Sequence, residues 1–282
     1  MRHPDVPESL EGWWILHRMF SFDRREWKNS DAEIRRRVAS EATAALLALQ
    51  SRDGADAGCA QLVGHKGNLM LTHYAKSFDG LAHAQNIVDG LELAEYLDPL
   101  HSYVSVLELG LYDATQKIHR ALEERALKAH TAEWETAFDE LLDEQVQSPR
   151  NAGRLWAAIP PRRYVCFYPM DKKRGENVNW YMLPFADRAR LMLDHGKIGR
   201  SFHGLVTQVI SGSIGYDDYE WGVDLYADDP IVFKKLIYEM RFDEASANYA
   251  AFGPFFTGLQ FSVGRLTEYL DGEDVPPLDS AT

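Results

Sequence analysis

The chain has 282 residues, 45% of them apolar, enough to bury the core of one large domain or two modest ones and too many for a disordered chain. Its formal charge of -13 argues against a nucleic-acid partner, because phosphate binding needs a basic surface or stripe, and no stripe of interleaved basic and aromatic residues occurs. Two cysteines, Cys59 and Cys166, stand far apart without zinc-ligand spacing, so neither a disulfide framework nor a structural zinc site is expected.

The opening residues Met1 to Asp5 lack a basic-then-apolar leader pattern, and no run approaches the roughly 18 apolar residues of a membrane span, so a cytoplasmic location is expected. Gly12 to Phe20 is short, aromatic and roughly alternating, and predicts a strand that stops at Asp23-Arg24-Arg25. Asp31, as N-cap, opens a helix from Ala32 to Gln50. Two β-like runs follow, Cys59 to Val63 and Leu69 to Tyr74, joined by Gly64-His65-Lys66-Gly67-Asn68, which has hairpin chemistry. Asp79 to Tyr96 reads as helix and Tyr103 to Leu109 as strand, completing the order βαββαβ. From Ala114 to Gln147 the composition turns to Glu, Lys, Arg and Ala with scattered Leu, which predicts a solvent-facing helical connector.

The second half repeats the order without a visible residue-level repeat. Arg163 to Met170 predicts a strand, Phe185 to Lys197 a helix, Leu205 to Ser211 and Glu220 to Tyr226 strands, Pro230 to Phe242 a helix and Phe255 to Val263 a strand. The expected class is α+β: two ferredoxin-like βαββαβ halves forming a dimeric α+β barrel-type subunit. Expected boundaries are an N-terminal domain over 1–113, a connector over 114–150, a C-terminal domain over 151–270 and a mobile tail over 271–282.

Candidate chemistry gathers between Tyr164 and Gln208. Arg154, Arg162, Arg163, Lys172, Lys173, Arg174 and Arg200 surround this segment in an acidic chain, which fits a local cationic pocket for an anionic small molecule as well as ordinary solvated charge. Strand alternation puts Tyr164, Cys166, Tyr168 and Met170 on one face, with Lys172 just beyond. A tyrosine can surrender an electron and a proton together where a base accepts the proton; a buried, hydrogen-bonded tyrosine satisfies the same position. His195 falls near the end of its helix with Gly196 as a C-cap, a place for a capping histidine or for a single iron ligand. The other histidines form no HxxxH or ExxH pair, which disfavours a multi-ligand metal site.

Several ordered motifs carry a resemblance. Tyr168-Pro169-Met170-Asp171-Lys172-Lys173-Arg174, Asn179-Trp180-Tyr181-Met182-Leu183-Pro184, Asp194-His195-Gly196 with Ile198-Gly199-Arg200, Gly212 to Gly222, and Tyr238 to Ser246 resemble the coproheme decarboxylases of the chlorite dismutase superfamily. Leu10-Glu11-Gly12-Trp13-Trp14 resembles the family's first strand more weakly, so the likeness is specific from about Tyr164 to Phe256. The resemblance implies paired ferredoxin-like domains, iron coproporphyrin III (coproheme) held in the C-terminal one, and a homo-oligomer, usually a pentameric ring. It implies peroxide-dependent oxidative decarboxylation of two propionates to give haem b, with coproporphyrin ferrochelatase as a donor of substrate. At matching positions His195 is the implied iron ligand, Tyr168 the radical-forming residue and Lys172 its proton-handling neighbour. The resemblance also implies that Met170 and Gln208 would face the porphyrin on the distal side and that Arg154, Arg200, Arg241 and Ser246 are candidates for propionate contacts. Asp171 replaces a small polar residue common in the family, which sets a negative charge beside Lys172.

Three alternatives share parts of this pattern. A chlorite dismutase would place an arginine where Gln208 stands, and a neutral amide holds an oxyanion poorly. A peroxidase or a haem-transfer protein would need neither Tyr168 nor Lys172. An α+β barrel protein for another flat, acidic metabolite would bind no porphyrin.

Overall fold

The computed structural model describes residues 6–279, and its strands form one antiparallel sheet that closes on itself. The strands are β1 (Leu10–Phe22), β2 (Ala55–Leu62), β3 (Leu69–Ala75), β4 (Leu97–Leu109), β5 (Tyr164–Lys172), β6 (Val206–Gly212), β7 (Trp221–Ala227), β8 (Ala250–Phe252) and β9 (Phe256–Phe261). The helices are α1 (Arg24–Asn29), α2 (Ala32–Ser51), α3 (Phe78–Asp89), α4 (Leu111–Glu124), α5 (Ala132–Gln147), α6 (Pro149–Leu155), α7 (Phe185–Ser201), α8 (Ile231–Met240), α9 (Glu244–Tyr249) and α10 (Leu266–Asp271).

Within the first half the strands lie in the order β4-β1-β3-β2, and within the second in the order β9-β5-β7-β6. Both read fourth, first, third, second, the arrangement of a ferredoxin-like βαββαβ unit. The halves join edge to edge, β2 to β9 and β4 to β6, so each supplies the partner that the other's free strand edges need. The result is one closed barrel, as expected from the paired halves. Helices pack on its outside and side chains fill its inside, where Met19, Met70, Tyr103, Val165, Phe167, Tyr226 and Phe256 form one cluster. Two charged-type side chains share that interior: His17 Nε2 lies 3.0 Å from Asp224 Oδ1 with both side chains fully buried.

The predicted strands and main helices all appear, with shifted ends. The helix expected over Asp79 to Tyr96 divides into α3 and a 3-10 turn over Glu92–Tyr96, because Gly90 ends α3. Two short elements were not anticipated, α9 and β8. Asp243 starts α9 by accepting from the backbone N–H groups of Ala245 and Ser246, and β8 extends the β5 edge beside Met170 to Lys172.

The connector differs from expectation. Its helices α4 and α5 bury Ile118, Leu122, Trp134, Phe138 and Leu141 against each other, so the charged composition hides an apolar seam at helical spacing. Helix also begins before residue 114, at Leu111, and continues past 150 to Leu155. The tail is held as well: Arg163 donates to the carbonyls of Val275 and Pro276, and the Asp279 N–H donates to Ser262 Oγ at 2.5 Å. Met1 to Asp5 and residues 280–282 lie outside the described residues.

Candidate functional site

On the outer face of the sheet, β5, β6 and α7 of the second half, with the ends of β1 and β4 and the start of α4, enclose a cavity of about 1500 Å³, larger than ordinary small-molecule pockets of roughly 300–1,000 Å³. Strand alternation turns Tyr168, Met170 and Lys172 of β5 toward it, together with Val206, Gln208 and Ile210 of β6. Along α7 the lining residues are Arg188, Met192, His195, Gly196, Gly199, Arg200 and His203 just past the helix end, a spacing that marks one helical face. Arg154 from α6 and Ser246 from α9 also line it.

His195 is not at the end of its helix. α7 continues to Ser201 and is capped at Phe202, so Gly196 is helical and serves another purpose. Gly196 and Gly199, three apart, leave a strip of bare backbone on the cavity side of α7. A Cβ at Gly199 would stand 3.3 Å from Gln208 Nε2, which donates to the Gly199 carbonyl at 3.2 Å. Such a strip lets a flat molecule approach the helix closely.

The imidazole is oriented by a residue that the sequence reading passed over. His195 Nδ1 lies 3.0 Å from Asp243 Oδ2, while Asp243 Oδ1 caps α9. Burial alone would raise the Asp243 carboxyl, but hydrogen bonds from His195 and Ser246 overcome it and hold the group below its ordinary range. An ionised carboxylate on Nδ1 fixes that nitrogen as the donor and leaves the Nε2 lone pair for an incoming ligand, the usual second partner of a metal-binding histidine. Among the described residues no cluster of three or more His, Cys, Asp or Glu is arranged to hold a metal ion, and of the two histidines on the cavity wall, His195 and His203, His195 is the one paired with a buried carboxylate. The wide cavity, the oriented imidazole and the surrounding cations fit an iron porphyrin with acidic substituents. Asp243 could have been found from the sequence as an N-cap three residues before Ser246.

Tyr168 is 4% exposed, and its ring stacks on Phe255 at 4.6 Å. Burial pushes its phenol well above the ordinary value, so the ring stays protonated and could be oxidised only with loss of a proton. Lys172 is 7% exposed, and its Nζ sits 4.4 Å from the Trp180 ring centroid. Burial lowers its ammonium from 10.5 to about 8, against the opposing pull of Asp243 and Glu220. Such a lysine can accept or release a proton near neutral pH. Tyr168 and Lys172 are four residues apart on one strand, roughly 13 Å between Cα atoms. Met170 lies between them on the same face, so proton traffic between the two must pass through something bound in the cavity.

Asp171 does not crowd Lys172. Alternation sends its carboxylate to the other face of β5, where Oδ1 accepts from the Glu220 N–H at 2.8 Å, and Glu220 in turn accepts from the Lys172 N–H at 2.8 Å. Arg241 is the predicted residue that stands outside the cavity wall, its guanidinium 3.9 Å from the centroid of Phe252. Arg150, Arg154, Arg162, Lys172, Arg188 and Arg200 set six cationic side chains on the wall against Glu11 and Glu108. Three of the basic residues singled out in the sequence face elsewhere: Arg163 holds the C-terminal segment, Arg174 meets Glu220 at 3.5 Å, and Lys173 is exposed.

Known proteins share this architecture. Residues 35–261 match the family described as chlorite dismutase. A coproheme decarboxylase of Staphylococcus saprophyticus is 37% identical over 258 residues, 90% of this chain and 94% of its own length. A haem-binding candidate from Natronomonas pharaonis is 38% identical over 98% of this chain, and there the chain spans 43% of the relative's length. The solved structure of a haem-binding protein from Thermus thermophilus superposes with a TM-score of 0.80 at 37% identity, covering 96% of this chain and 99% of that one. A family match over most of the chain, supported by a relative of nearly equal length and by the same fold, places the protein: it belongs to the chlorite dismutase family.

Proposed function

We propose that this protein is a coproheme decarboxylase: with hydrogen peroxide it removes two propionate carboxyl groups from ferric coproporphyrin III and releases haem b. The observation that carries this reading is the meeting, in one cavity, of an imidazole oriented by Asp243 and a buried tyrosine that has a lysine farther along its strand. Each cycle turns one propionate, one peroxide and one proton into a vinyl group, carbon dioxide and two waters. The substrate iron supplies the oxidising power by reacting with peroxide.

The side chains of this chain do the rest. His195 binds the iron through Nε2, with Asp243 strengthening its donation. Arg154, Arg200 and Ser246 orient propionates, and Arg241 does so only through movement from its stack on Phe252. Tyr168 gives up an electron and its proton and takes a hydrogen atom from the propionate side chain, while Lys172 handles a proton at its own end of the substrate. Gln208 and Met170 face the distal side, and the neutral amide distinguishes this site from one built for an oxyanion.

The finer parts of the reading are a cytoplasmic protein assembled as a pentamer and supplied with coproheme by ferrochelatase. What supports them is family likeness. No helix among the described residues is long and apolar enough to cross a membrane. The test is to add ferric coproporphyrin III to the purified protein, titrate peroxide and follow the porphyrin by mass. Two carboxyl losses are expected. Tyr168→Phe should bind the substrate yet turn over at least about a hundredfold more slowly; normal turnover by that variant would refute the radical assignment, and an unchanged bound porphyrin in the parent would indicate a carrier.

A further inference from the structure

Arg150 and Arg154 stand one turn apart on α6, and both line the cavity. Their like charges repel at this spacing, and neither makes a hydrogen bond or ion pair with another described residue. Burial and then Arg150 lower the Arg154 guanidinium, and no carboxylate of the described residues opposes them. The two carboxylates on the cavity wall are engaged elsewhere, Glu108 with Trp221 Nε1 at 2.7 Å and Glu11 with Ser9 Oγ at 3.1 Å. In a chain with 43 acidic and 30 basic residues, a pair of cavity-facing arginines with no carboxylate partner among the described residues points to a counter-charge brought by a ligand.

The helix that carries the pair is also held in place. Pro149 begins α6 after the Ser148 cap, Leu155 is fully buried, and the Leu155 carbonyl packs so closely on Gly12 of β1 that a Cβ there would collide with it. The helix turn is thereby fixed, and from it the two exposed guanidiniums can reach one carboxylate in the cavity.

Resting on the functional reading above, we propose that Arg150 joins Arg154 in a two-guanidinium clamp for one carboxylate of the porphyrin substrate. Nothing in the sequence pattern marks Arg150, which lies outside the motifs that carry the family likeness.

The experiment compares ferric coproporphyrin III with its tetramethyl ester, which keeps the ring and iron and lacks every carboxylate. Binding is followed through the Soret band at low and moderate salt. Arg150→Gln should weaken the tetra-acid about tenfold at low salt and flatten its dependence on ionic strength, while the ester binds parent and variant alike. Arg150→Lys should recover part of the loss, because it restores charge without the fork. Equal weakening of acid and ester would mean altered packing, and unchanged binding of the acid would mean that Arg150 serves another contact; either overturns the clamp. If the parent binds the acid no better than the ester, the clamp fails while the porphyrin site stands. Failure of the parent to bind either compound would overturn the functional reading itself.

Discussion

Helices α2 and α7 are counterparts, each lying between the first two ferredoxin-like strands of its half. On the first half, α2 places Val38, Ala39, Ala42, Leu46 and Leu49 in a dry cluster with Cys59, Leu69 and Leu71 of the strands beneath. On the second half, the corresponding helix presents Met192, His195, Gly196, Gly199 and Arg200 to a cavity. The topology is the same, so the difference lies in side chains: apolar residues of one helix seal its sheet face, while glycines, a histidine and arginines of the other line a cavity. On the first half this helix position seals the core, and on the second it lines a site while α8 helps to bury that half's own core.

Substitutions on the two helices should therefore separate binding from stability. The largest effect is expected at His195→Ala, which should abolish the axial-ligand spectrum of added iron porphyrin and leave the melting temperature nearly unchanged. Asp243→Asn should keep that ligand but weaken iron-porphyrin affinity about 10–100-fold. An unchanged spectrum in His195→Ala would place the ligand elsewhere. On the opposite helix, Leu46→Ala removes a side chain that is 2% exposed and should cost about 2–5 kcal/mol of stability in a urea titration. Porphyrin affinity of the folded variant should match the parent, and a large change in it would erase the division between the halves.

A smaller effect tests what the site costs. Folded Lys172 releases its proton near about 8, and the unfolded chain holds it to 10.5, so the unfolded state binds more protons between those values. Stability contributed at this position is lowest below about pH 8 and rises with pH toward 10.5. Lys172→Met should therefore be more stable than the parent by roughly 1–3 kcal/mol at pH 7, the gain shrinking by pH 10. A difference that stays flat between the two pH values would show that burial does not shift this lysine.

The βαββαβ order was legible in both halves because periodicity reports which residues alternate in a strand and which recur every turn of a helix. Tyr168, Met170 and Lys172 could be assigned to one face for the same reason, and that assignment also predicts Asp171 on the opposite face. The short elements α9 and β8 escaped detection because six and three residues carry too little periodic signal. The amphipathic seam of α4 and α5 was hidden by their many charges, which occupy the solvent face without emptying the buried one.

By itself the sequence determined the repeated strand and helix order, the face on which each strand residue stands and, through its motifs, the family. Only the tertiary structure decided which strand edges close the expected barrel, β2 on β9 and β4 on β6, since strand pairing across the halves depends on contacts far apart in the chain. It alone also brought Asp243 to His195 across 48 residues, moved Arg241 off the cavity wall and set Arg150 on it. The physical reason is common to all three: hydrogen bonding, burial and charge act over a few ångströms in space, and the distance between two residues along a chain does not report that separation.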